Sequence, residues 1–387
     1  MKILIILSRV PYPLDKGDKL RAFYQIKYLS KQHDIILFCL NDERKVPKEN
    51  IEVLKQFCKK IEIVNLTWIS IIFNVLRAFF KGLPLQTGYF YSSKAKKRFL
   101  KLFEKENPDR LYCQMIRTTE YCKEITTNTT LDYQDALSKG AERRIDNSNF
   151  FLKCILNIEH KRLLKYERIV FDRFANKIII SETDRDFIFH PQNKDIFVVP
   201  NGVDIDYFSA KPSVKKHSIL FTGNMGYPPN IDASCFLAKE IFPKVMERIP
   251  NANLLISGTQ PAFQVVQLQN ENVTVSGWVD DIKDSYSTSS VFVAPMLNGS
   301  GLQNKLLEAM AMNLPCVTTS LANNALGAKD GKQILIANTA QEFANCIIDL
   351  LLNREKANTI ASEGHEFVKC NYNWDSINAK LEDIICS

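Results

Sequence analysis

"KILIILSRVPYPLDKGDKLRAFYQIKYLSKQHDIILFCL" occupies residues 2–40 and sets the architecture of the chain. Lys2 to Leu7 reads as a strand whose residues 3–7 are an unbroken apolar run, too short to span a membrane and followed by no small-residue cleavage site. Asp34 to Leu40 is a second such strand, apolar from Ile35 onward. Between them lie a loop with two prolines and a stretch, 19–32, whose apolar residues recur at helical spacing. Strands apolar on both faces belong to sheets covered on both sides, and a helix between two of them makes a βαβ unit. The chain is therefore expected to build a parallel sheet from its first residues.

The pattern continues outward. Ile61 to Val64, Arg110 to Cys113, Lys177 to Ser181 and Ile196 to Val199 read as further buried strands. A second cycle starts after "VVPNGVDIDYF", with strands expected at Ser218 to Gly223, Asn253 to Gly258, Val273 to Gly277, Val291 to Pro295 and Pro315 to Thr319. At 387 residues one core is too few. The expected architecture is α/β, with two Rossmann-like domains facing each other across a cleft. They divide at Pro200 beside the turn-forming Asn201-Gly202 pair, into residues 1–199 and 200–369. The amphipathic tail 370–387 closes the second domain or braces the first.

Charge is unevenly shared. Residues 1–195 hold 36 Lys and Arg against 24 Asp and Glu, and the remainder holds 14 against 19. A basic first half implies an anionic partner, either a phosphorylated substrate or a membrane surface. Nucleic acid is disfavoured, because no RNA-binding aromatic motif, zinc finger or long basic arm is present. The ten cysteines show no paired spacing, which fits reduced thiols in a cytoplasm and no cysteine metal site. The five histidines have no ligand spacing either, so no metal is expected.

"GSGLQNKLLEAMAMNLP", residues 299–315, sits where a strand should feed a helix. Glycines there let a backbone approach a ligand, and a helix start offers free N–H groups with partial positive charge. Lys305 and Glu308 fall on one face of that helix. The lysine can neutralise a phosphate, and the glutamate can accept hydrogen bonds from ribose hydroxyls. An ordinary turn with a solvated ion pair is the competing reading. Neither a Walker loop nor a GxGxxG turn is present at this position.

This segment is similar to the nucleotide-sugar signature of retaining glycosyltransferases of family 4, which have the two-Rossmann GT-B fold. It is nearest to a bacterial branch associated with exopolysaccharide synthesis. The resemblance extends through "PYPLDKGDKLRAF", "KRLLKYERIVFDRFANKIIISETDRD", "VVPNGVDIDYF", "LFTGNMGYPPNIDA" and "VSGWVDDIKDSYSTSSVFVAP", in the family's order. It implies that Glu308 holds the donor ribose and Lys305 the donor phosphates, with the turn Gly299, Ser300, Gly301, Leu302 and Gln303 around the donor. Ser300 stands where many relatives carry the first glutamate of an E-x7-E pair, and Gln303 where many carry arginine. The relatives' histidine near the acceptor has no counterpart, and Arg117 is the nearest polar candidate.

Gly223 and Asn224, in "TGNMG", occupy the first loop of the second domain and are expected on the donor. Lys16 with Gly17 occupy the corresponding loop of the first, expected to set a cation and a close-approaching backbone opposite the donor phosphates unless they form an ordinary surface turn. By the resemblance, Gly277, Trp278 and Val279 line the nucleotide base, where the indole stacks or merely packs. Leu66 to Leu85 is apolar but interrupted, and the basic stretch "SKAKKRFLKLFEK" follows it. The pair is expected to lie on an anionic membrane, unless it is core helix with a solvated face.

The resulting expectation is a cytoplasmic hexosyltransferase, possessing no required cofactor and peripheral on the inner membrane face. It would move a sugar from a UDP- or GDP-sugar to a lipid-linked glycan, with closure at Pro200 excluding water. The alternatives are a GT-B epimerase and a catalytically silent donor-binding or scaffold subunit.

Overall fold

A computed structural model describes residues 1–387 except 44–45, 126–127, 147–149, 210–214, 216 and 299–300. Gly299 and Ser300 of the expected site lie outside the described residues. The chain forms two units, Met1–Pro200 together with Ile377–Ser387, and Asn201–Ser376.

The first unit holds β1 (Lys2–Leu7), β2 (Asp34–Asn41), β3 (Lys60–Asn65), β4 (Arg110–Gln114), β5 (Thr129–Asp132), β6 (Asn176–Ile179) and β7 (Phe197–Val198). Their order across the sheet is β3-β2-β1-β4-β5-β6-β7, and every pairing is parallel. Ile3 to Leu7 are buried on both faces, as their unbroken apolar run dictates. The order reverses at β1, whose neighbours are β2 and β4, so the crevice of this unit opens at the carboxyl ends of β1 and β4.

β5 escapes the sequence pattern because it opens on Thr129-Thr130 and ends on Asp132. Asp132 is fully buried and paid for by three partners: Arg21 Nε at 2.6 Å, the Tyr112 hydroxyl at 2.7 Å and Gln25 Nε2 at 3.3 Å. Arg21 also donates to the Pro200 carbonyl at 3.1 Å. A polar strand end is tolerated inside the core only when paired in this way.

The end of the Trp374–Cys386 helix returns to the first unit. Arg110 donates to the carbonyls of Ile385 (2.8 Å) and Cys386 (2.9 Å), and Asn176 donates to that of Ile384 at 2.6 Å. Last-turn carbonyls with no intrahelical partner are thereby satisfied.

The expected apolar stretch Leu66 to Leu85 resolves into two helices, Trp68–Phe80 and Leu85–Tyr89. Thr67 caps the first, and Gly82, at φ +67°, turns the chain before Pro84 starts the second. The two pack so closely that a Cβ on Gly88 would stand 2.5 Å from Ala78 Cβ.

The second unit holds β8 (His217–Thr222), β9 (Leu254–Ser257), β10 (Val273–Gly277), β11 (Ser289–Ala294), β12 (Cys316–Thr318) and β13 (Leu335–Ile336). Their order is β10-β9-β8-β11-β12-β13, again all parallel. The order reverses at β8, between β9 and β11. β13 is two residues long, too short for any periodicity to reveal.

Candidate functional site

The carboxyl ends of β8 and β11 gather the residues around Lys305. β8 ends in Thr222 and passes into Gly223, whose φ is +154°. Gly258, after β9, lies against it: a Cβ there would stand 1.7 Å from the Gly223 carbonyl oxygen. Two glycines thus bring two strand ends together and keep side chains out of the crevice mouth.

The helix Asn304–Ala311 starts just beyond β11. Its N-cap, Gln303, makes no side-chain cap, and instead donates from Nε2 to the Gly301 carbonyl at 2.8 Å. First-turn amides of such a helix remain open to an external acceptor. Gly301 has no atom near the position of a Cβ, while Leu302 turns into the core.

Lys305 is half-buried on this helix. Its Nζ donates to Asn230 Oδ1 at 2.5 Å, approaches Met296 Sδ at 3.8 Å and lies 4.6 Å from the centre of the Phe221 ring. An amide oxygen, a thioether and a ring face compensate an ammonium poorly. Burial therefore lowers its pKa to about 7, with Glu308 opposing the shift. Such a cation, short of a full counter-charge, favours an anionic ligand.

Glu308 stands one turn further along. The fully buried Tyr286 donates to its Oε2 at 2.7 Å, and Tyr286 Oη in turn meets Thr222 Oγ1 at 2.8 Å. Burial raises the Glu308 pKa, while the Tyr286 hydrogen bond and Lys305 favour its carboxylate. Asn230 is held from the other side, donating from Nδ2 to the Asn224 carbonyl at 2.9 Å. Asn230, Tyr286 and Thr222 escaped the sequence reading, because only the fold brings them to Lys305 and Glu308.

The remaining expected positions differ in character. Asn224 is exposed, and its Oδ1 accepts from the Gly226 amide at 2.9 Å, which shapes its own loop. Gly277 turns the chain after β10 with φ +65°, and its carbonyl accepts from the Gly258 amide at 3.1 Å. Trp278 next to it is 68% exposed, and Val279 is half-buried. Tyr207 donates to Asp281 at 3.1 Å under the Lys283 ammonium, 3.9 Å from the ring centre.

In the first unit, Lys16 pairs with Glu43 at 2.9 Å, with both side chains exposed. Gly17 begins the Gly17–Leu29 helix. Arg117 donates from Nε and Nη2 to Gln86 Oε1 at 3.0 and 2.9 Å. Arg9 and Arg117 both lie 5.3 Å from the centre of the Phe90 ring. Burial and the charge of Arg9 lower the Arg117 pKa to about 10. Two arginines converge on one ring just beyond β1 and β4, where this unit's crevice opens.

The geometry can be set beside known proteins. Residues 216–353, which span the Lys305 site, match the family model "Glycosyl transferases group 1". An uncharacterized 44.6 kDa protein in the cps region of Klebsiella pneumoniae is 25% identical over 393 residues, 96% of each chain. A phosphatidyl-myo-inositol mannosyltransferase of Mycobacterium leprae is 24% identical over 222 residues, 54% of this chain and 58% of its own. The crystal structure of Anabaena HepE in complex with UDP and glucose superposes over all of both chains, with TM-score 0.68 and 16% identity. The fold is GT-B, two parallel-sheet Rossmann-like domains, as expected from the sequence. The group 1 glycosyltransferase match lies within the second unit and spans both Lys305 and Glu308.

Proposed function

We propose that this protein transfers a hexosyl group from a UDP- or GDP-sugar to a lipid-linked glycan during bacterial surface polysaccharide synthesis, with retention of anomeric configuration. The Lys305–Glu308 pair carries the reading. On one helix it sets a cation of lowered pKa beside open amides, then a carboxylate one turn along. That spacing suits a diphosphate followed by a ribose. HepE, with UDP bound, and the cps-region relative support a donor and a setting of this kind.

In this reading the second unit binds the donor. Gly223, Gly301 and the amides near Gln303 approach the diphosphate, and Trp278 with Val279 lines the base. Lys305 and the helix start stabilise the departing nucleoside diphosphate. The sugar C1–O bond breaks as the acceptor hydroxyl attacks from the same face, and a phosphate oxygen of the leaving group takes the hydroxyl proton. The first unit binds the acceptor, with Arg9 and Arg117 as its anion-binding groups and the Lys16–Gly17 helix start beside them.

The lipid acceptor is proposed from the exterior of the first unit. The Trp68–Phe80 helix buries Ile71, Asn74 and Ala78, yet leaves Trp68, Ile69, Ile72, Phe73, Leu76 and Phe80 exposed, Ile69 and Phe80 at 83%. Removing one such side chain from water is worth about 1.5–3 kcal/mol. Phe151, Ile155, Ile158 and Arg162 form one stripe of the Phe150–Phe171 helix, and Arg162 donates to the Phe79 carbonyl at 2.9 Å. The stripe therefore leads to the same helix. Among the described residues, no helix is long and apolar enough to cross a membrane. Peripheral contact with the cytoplasmic face is the proposed mode, and the mannosyltransferase relative's phospholipid name fits it.

The test is sugar transfer from labelled UDP- and GDP-sugars to lipid-linked acceptors in membrane vesicles, with Glu308→Gln and Lys305→Met as controls. Label entering the lipid fraction only with the unaltered chain supports the reading. Nucleotide binding without transfer from any donor would make the protein a silent donor-binding subunit. An inverted anomeric centre in the product, read by NMR, would overturn retention.

A further inference from the structure

Behind the exposed apolar helix lies a cavity of about 210 Å³, many times the roughly 10–15 Å³ that admits one water. One wall is the inner side of Trp68–Phe80, through Asn74, Arg77 and Ala78, with Lys81 at its end. The opposite wall carries Lys96 of the Ser93–Glu106 helix and Lys123, Glu120 and Glu124 beyond it. Both carboxylates are engaged. Glu124 accepts from Lys96 at 2.6 Å, and Glu120 accepts from the Tyr166 hydroxyl at 2.7 Å and from Arg173 at 3.4 Å. Arg77 lies 5.3 Å from the centre of the Tyr91 ring, and Lys81 and Lys123 stand exposed at the rim. Four cations against two paired carboxylates leave the concavity positive.

We propose that this cavity receives the phosphate of an anionic phospholipid headgroup, a recognition site separate from donor and acceptor; the proposal rests on the membrane reading above. A helix lying with Ile69, Phe73 and Phe80 in the acyl boundary has its opposite side at the level of the phosphates. Arg77 and Lys81 leave that same helix toward the cavity, so their charge arrives at the phosphate plane as the aromatic rings enter the hydrocarbon. A cavity serving a soluble anion would gain nothing from an apolar wall turned outward.

The experiment measures binding of the full chain to phosphatidylcholine vesicles doped with phosphatidylglycerol, or with a fatty acid at a pH where its carboxylate is ionised, at equal surface charge. Lys81→Gln/Lys123→Gln alters exposed side chains only. The expected result is tighter binding to phosphatidylglycerol than to fatty acid, by roughly fivefold for each engaged cation. That preference should fall to parity in Lys81→Gln/Lys123→Gln. Lys97→Gln/Lys101→Gln, on the exposed side of the Ser93–Glu106 helix, should weaken binding to both anionic vesicles and keep the preference. A preference absent from the unaltered chain, retained in the rim variant, or lost equally in the control overturns the proposal while membrane binding stands. Phe73→Ser/Phe80→Ser should abolish binding to every vesicle. If it binds like the unaltered chain, or if that chain binds none, the membrane reading fails and the headgroup site with it.

Discussion

Tyr286 holds Glu308: its hydroxyl donates to Oε2 at 2.7 Å from a fully buried ring, and it touches Thr222 Oγ1 at 2.8 Å. The carboxylate assigned to the donor ribose is thus aimed by a residue 22 positions away in the chain. Tyr286→Phe keeps the ring and removes that aim. A hydrogen bond to a charged group is worth about 1.5–3 kcal/mol, so kcat/KM for the donor should fall about tenfold or more. Tyr286 does not touch the reacting atoms in this reading, so KM should rise more than kcat falls. Steady-state kinetics against donor concentration separates the two, and unchanged kinetics would remove Tyr286 from the site.

Lys305 predicts proton uptake on donor binding. Burial holds its pKa at about 7 in the free protein. A diphosphate alongside favours the ammonium and raises that value, so above about pH 7 binding draws in a proton. Affinity for UDP or GDP should consequently decline as pH rises from about 7 toward the ordinary lysine range. Calorimetry in two buffers of different ionisation enthalpy counts the proton directly. Lys305→Arg should bind with no uptake, and zero uptake in the unaltered protein would separate Lys305 from the phosphates.

Gly258→Ala should unfold the second unit early. Its Cβ would stand 1.7 Å from the Gly223 carbonyl oxygen, and the φ of +150° is unfavourable for any L side chain. Overpacking and backbone strain each cost about 1–3 kcal/mol. Thermal unfolding followed by calorimetry should show the lower transition shifted down by several degrees, and an unshifted trace would mean the two loops can separate freely.

Arg21→Met should destabilise the first unit. It leaves Asp132 buried without its closest cation, and breaking such a pair costs about 3–5 kcal/mol. Hydrogen exchange should locate the loss in β4 and β5, while amides of the second unit keep their protection. Uniform loss across both units would contradict this localisation.

The expected strands of the first unit overlap β1 to β4, β6 and β7, and agree best where the apolar run is long, as in Ile3 to Leu7 and Ile35 to Leu40. Residues sealed from water on both faces leave that mark on composition. β5 leaves none, because its Asp132 is made tolerable by Arg21, Tyr112 and Gln25, all distant in sequence. That Lys305 and Glu308 share one helix was legible because their spacing is local. Asn230, Tyr286 and Thr222 were not, since hydrogen bonds over 75 and 22 positions belong to no local period. The outward apolar face of Trp68–Phe80 was ambiguous for the same reason. Periodicity says which residues share a helix face, but only packing decides which face is covered and which is left for a partner.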